Sequence, residues 1–122
     1  MYTCGIIVES LQETGVLQDL QACFEKERLQ EVPDEPELLW HVRQYAIPRD
    51  QLRSLLPRLA EAIKPGWYIH LFNIADNVLY VVLRGRFFKL PTRRDESWEP
   101  MITYGQNVGL ARKWTENVPL RV

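Results

Sequence analysis

Six consecutive apolar residues, Val78-Leu79-Tyr80-Val81-Val82-Leu83, constrain this chain more than any other feature. Side chains of a strand point alternately to the two faces of a sheet. A run that is apolar at every position is therefore a strand covered on both sides. Turn chemistry brackets it: Ala75-Asp76-Asn77 before, Arg84-Gly85-Arg86 after. With Trp67–Asn73 and Phe87–Leu90 it reads as a three-stranded antiparallel meander over residues 67–90.

Covering elements follow from the neighbouring pattern. Over Arg49–Lys64, the residues Leu52, Leu55, Leu56, Leu59, Ala60 and Ile63 make one apolar stripe at helical spacing. Asp50 suits the helix start and Pro65-Gly66 its end. Pro57 lies on the face away from the stripe, so a kink bowed toward solvent is expected rather than a break. A second helix is expected over residues 98–108, beginning between Asp95 and Glu99 and stopped by Gly109.

Leu38–Ile47 reads as a strand with Leu38, Trp40, Val42 and Ala46 on one face and His41, Arg43 and Tyr45 on the other. Gly5–Glu9 reads as a short first strand. Residues 14–32 fit a short helix followed by a strand, although Val16, Leu17, Leu20, Cys23 and Phe24 also fit a helical stripe. Val32–Glu37 is a loop, and residues 111–122 are an irregular arm or a last strand. The expected architecture is one α+β domain over residues 1–122. It has an antiparallel sheet of five or six strands and two main helices, with a ferredoxin-like variant possible through the strand–helix–strand–strand–helix order of residues 38–108.

The composition, 46% hydrophobic and 25% charged over 122 residues, excludes disordered, collagen-like and coiled-coil chains. The net charge of -1 hides an asymmetry: residues 1–40 carry nine acidic and two basic side chains, residues 41–94 three acidic and ten basic. Such opposite blocks either neutralise each other in the fold or attract a second copy. A start without a basic, apolar leader, two dispersed cysteines and no long apolar run point to a cytoplasmic protein without a membrane partner.

Four fragments, CGIIVESL, PGWY, LRGRFFKL and YGQNVGL, occur in this order. Together they resemble a set of small bacterial proteins of about this length to which no activity is assigned. That resemblance implies a bacterial cytoplasmic single domain and a strand within residues 21–32. It brings no cofactor and no catalytic residue.

Chemistry-bearing motifs are sparse. Cys4, Cys23, His41 and His70 lack the close pairs typical of zinc sites, so no metal is expected. No phosphate loop and no serine nucleophile elbow occur, so no catalytic residue and no cofactor is assigned. His70 alternates with Tyr68 and Phe72 along one strand face; with Tyr45 these suggest an aromatic pocket, against the plainer reading of a core-rim histidine. Arg84, Arg86, Lys89, Arg93 and Arg94 form a basic cluster ahead of a helix start, suited to an anion or, more plainly, to a solvated edge strand. Arg84-Gly85-Arg86-Phe87-Phe88 meets the RNA-recognition consensus only in part, and an arginine replaces a stacking aromatic; nucleic acid is an unlikely partner.

The reading these features favour is a small non-enzymatic binding or interaction module that self-associates as a homodimer. The alternative is a small enzyme or anion-binding protein using Tyr45, Tyr68, His70 and the arginine cluster. Nucleic-acid binding through residues 84–94 ranks third.

Overall fold

The computed structural model describes residues 1–34 and 38–122. In chain order the elements are β1 (Tyr2–Ile7), α1 (Gly15–Asp19), β2 (Phe24–Glu31), β3 (Leu39–Ile47), α2 (Leu52–Ala62), β4 (Ile69–Asn73), β5 (Val78–Leu83), β6 (Arg86–Leu90), α3 (Glu99–Asn107) and α4 (Arg112–Thr115). Among the described residues the strands form one six-stranded sheet, β2-β3-β1-β4-β5-β6, antiparallel at every neighbouring pair. The α+β class and the meander expected from the sequence are both present.

Register decides which residues share a face. Cys4 lies opposite Tyr45 on one side and Leu71 on the other, while Gly5 lies opposite Gln44 and His70. Cys4, Tyr45 and Leu71 therefore face α1 and α2, where Leu55, Leu56 and Leu59 close the first core. His70, Phe72, Val81 and Phe88 point to the other face. There Met101 and Ile102 of α3, with Leu110 and Val118 from the following arm, close a second core. The apolar meander is thus wrapped front and back by its own chain. The helix expected over residues 98–108 is the element that covers this face, so the face gives no argument for a second copy.

Several boundaries differ from the sequence reading. β1 runs Tyr2–Ile7 rather than Gly5–Glu9. The chain turns at Val8–Ser10, and Glu9 leaves the strand to accept hydrogen bonds from the His41 backbone N–H at 2.6 Å and ring Nδ1 at 2.8 Å. The long helix begins with a tight turn at Arg49–Gln51 and ends at Ala62 rather than Lys64. Pro65 disfavours helix in the residue before it, and Ile63 turns extended to bridge Leu11. The helix continues through Pro57, which is exposed as the stripe requires.

Residues 14–32 do form a short helix and then a strand. The Val32 N–H donates to the Leu38 carbonyl at 2.9 Å, closing the hairpin; Glu35–Glu37 of the expected loop lie outside the described residues. The tail is an arm with one helical turn, α4. The ferredoxin-like order lies earlier than residues 38–108. It is β1-α1-β2-β3-α2-β4, a split βαβ arrangement with β3 between β1 and β2.

Candidate functional site: an aromatic cleft on the second sheet face

α3 lies over β4–β6. On the same face, β1, β3 and β2 form instead the floor of a cleft of about 370 Å³. Gly5 and Ile7 of β1, Trp40 and Val42 of β3, and Arg28 and Gln30 of β2 line it. The register explains this set, since Arg28 lies opposite Val42 and Gln30 opposite Trp40, all on one side. Trp67, Tyr68 and His70 form a second wall. Leu110 and Trp114, then Pro119, Arg121 and Val122 of the arm, close the rest.

Two close approaches build the walls. A Cβ on Gly5 would stand 2.8 Å from His70 Cε1 and 2.9 Å from Val122 Cγ2, so only glycine lets the imidazole and the arm meet over β1. Gly109, at φ +91°, ends α3 in the left-handed region and passes close to the Gly66 backbone. That contact sets Leu110 and Ala111 beside the Trp67–Tyr68 entry of β4.

Three of the four tryptophans converge here. Trp40 and Trp67 meet edge to face with ring centroids 5.1 Å apart. The Trp40 indole N–H is buried and has no hydrogen-bond partner among the described residues. Trp98, the fourth, is core: it is buried under α3 and donates to the Pro91 carbonyl at 3.0 Å. His70 stacks on Phe72 and sits 2.9 Å, through Nε2, from the Arg121 carbonyl oxygen. A carbonyl only accepts, so Nε2 carries the proton. Burial lowers the His70 pKa below its ordinary value and the bond to Arg121 offsets this only in part. Burial also raises the Tyr68 phenol, which keeps its proton.

The sequence-derived candidates separate. Tyr68 and His70 line the cleft. Tyr45 does not: it is buried on the opposite face, edge-on to Phe24 with centroids 5.8 Å apart. Arg84 folds back on α2, donating to the Glu61 carbonyl and, at 3.3 Å, to that of Ile63. The Arg86 guanidinium lies over the Phe88 ring, 4.4 Å from its centroid. Lys89 faces the other side of β6, because residues 86 and 89 differ in strand parity. Arg93 and Arg94 are exposed in the loop beyond the strand. Neighbours in sequence thus take up separate positions here.

The residues the sequence reading missed are Trp40, Trp67, Trp114, Arg28 and Arg121. They come from separate segments with no local spacing in common. The available signal was tryptophan usage, with three tryptophans lying outside the strongest apolar stripes.

Among the described residues the cleft lining holds no carboxylate, serine, threonine, cysteine or lysine side chain, and His70 is its single imidazole. Flat apolar walls meet a few donors there, and Tyr68 and His70 lie side by side with ring centroids 5.8 Å apart. No three His, Cys, Asp or Glu side chains converge elsewhere among the described residues. Cys4 is a core thiol, its pKa pushed far up by burial. The described helices include none long and apolar enough to cross a membrane. Comparison with protein-family models, curated proteins and solved structures finds no match to this chain, so the functional reading rests on the geometry.

Proposed function

We propose that this protein is a small binding module and that the cleft holds a ligand with a flat, apolar face. The observation that carries this reading is the convergence of Trp40, Trp67 and Trp114 on one concavity. Its volume of about 370 Å³ falls in the range of small-molecule sites, roughly 300–1,000 Å³. Indole walls supply large stacking area at low entropic cost. The floor is a sheet rather than a loop, so the site is held in place before a ligand arrives.

The test is equilibrium dialysis with a neutral planar probe, 2-naphthamide. A saturable single site is expected, weakened in Trp67→Leu and unchanged in Arg93→Ala. Absence of saturable uptake at millimolar probe would contradict the proposal.

A further inference from the structure

We infer that the ligand is a planar organic anion, its ring held by the tryptophans and its charge between Arg28 and Arg121. This deepens the binding-module reading and rests on it.

Charge complementarity carries the inference. Both arginines line the cleft, and neither has a carboxylate partner among the described residues. Arg43, Arg49, Arg58 and Arg112 pair with acids; of the arginines without such a pair among the described residues, Arg28 and Arg121 are those that line the cleft. No acidic side chain lines the cavity to balance the two guanidiniums. In a protein whose net charge is -1, the side chains here set a local excess of positive charge against an aromatic wall. Arg28 is also oriented: its guanidinium donates to Gln30 Oε1 at 2.6 Å along the cleft face of β2.

The two arginines reach the cleft from different elements, and the cleft volume sets the size of the anion. Arg28 stands on β2, while Arg121 precedes Val122, which rests on Gly5 of β1. One strand separates β2 from β1, so the two strand axes are roughly 10 Å apart. A cleft of about 370 Å³ suits one or two fused rings bearing a carboxylate or phosphate, which a guanidinium fork binds in its own plane. An extended nucleic acid strand would need a continuous basic track. Here the exposed Arg93 and Arg94 follow β6, at the far edge of the sheet from β2.

The experiment compares three probes by calorimetry: 2-naphthoate, 2-naphthamide and cyclohexanecarboxylate. A dT10 oligonucleotide serves as competitor. On this account 2-naphthoate binds about tenfold tighter than the amide, and cyclohexanecarboxylate binds weakest. Arg28→Gln and Arg121→Gln, both at exposed positions, each narrow the naphthoate-to-amide ratio by lowering naphthoate affinity more than amide affinity, while Arg93→Ala, outside the cleft, leaves both affinities unchanged. Equal affinity for naphthoate and amide would overturn the anion inference while leaving the cleft reading intact. If neither naphthalene probe binds, both fall. Salt-sensitive dT10 binding without naphthoate binding would replace the small anion by a nucleic acid.

Discussion

The Nε2 atom of His70 lies 2.9 Å from the carbonyl oxygen of Arg121, and this bond ties the C-terminal arm to the middle of the sheet. It places a buried imidazole, 8% exposed, where its charged form is disfavoured. The folded-state pKa is therefore below the ordinary 6.5. Below that pH the unfolded chain binds the proton more readily than the folded one, so stability falls with acidification. Above it, the group contributes no pH dependence. The expected result is a Tm that declines below pH 6.5, with His70→Gln removing this part of the decline. Identical wild-type and variant profiles between pH 4.5 and 7 would contradict it.

Gly5 is the counterpart of that bond on β1. A methyl group there collides with both His70 and Val122. Gly5→Ala should cost about 1–3 kcal/mol, as overpacking in a filled site does. Adding Val122→Ala should return part of the loss, because the two positions share the same space. Urea unfolding of the single and double variants measures the coupling; strict additivity would show that the arm does not rest on β1.

Glu9 sets a second and lower pH window. Burial alone would raise its carboxyl, yet the His41 backbone N–H and ring together hold it below the ordinary 4.5. Stability from this group is complete above pH 4.5 and is lost as pH falls through the depressed pKa. Glu9→Gln is expected to cost about 1 kcal/mol at neutral pH and to flatten the profile below 4.5. An unchanged acid limb would refute the assignment.

Arg84 separates stability from binding. Its guanidinium bonds carbonyls at the C-terminus of α2, where positive charge is also favoured by the helix dipole. Arg84→Ala should lose about 1 kcal/mol in chemical denaturation, while Arg93→Ala stays within about 0.5 kcal/mol. Neither should alter 2-naphthoate affinity, which calorimetry reports. Loss of binding in the Arg84 variant would move the anion site to the β5–β6 turn, and loss in the Arg93 variant to the loop after β6.

The strands and helices were legible because apolar periodicity is local. The run Val78–Leu83 and the leucine stripe each announce a face to be buried. The site was only half legible. Tyr68 and His70 share a face by parity within β4, which sequence reveals. Whether Tyr45 joins them depends on how β1 pairs with β3 and β4 at once. The register Cys4 opposite both Tyr45 and Leu71 sends Tyr45 to the helical side. Local spacing carries no trace of that choice. The basic run 84–94 is dispersed for the same reason: strand alternation, a helix terminus and a stacked ring claim its members separately. Trp114 and Arg121 reach the cleft only through the packing of the arm against Gly5 and His70.

Four indole N–H resonances offer an internal comparison, since three tryptophans line the cleft and Trp98 is sealed in the core against Pro91. A proton–nitrogen correlation spectrum recorded during titration with 2-naphthoate reads all four at once. The account predicts saturable shifts for the Trp40, Trp67 and Trp114 signals with one shared Kd, and a stationary Trp98 signal. Uniform movement of all four, or none at any concentration, would contradict the claim that the cleft is the binding site.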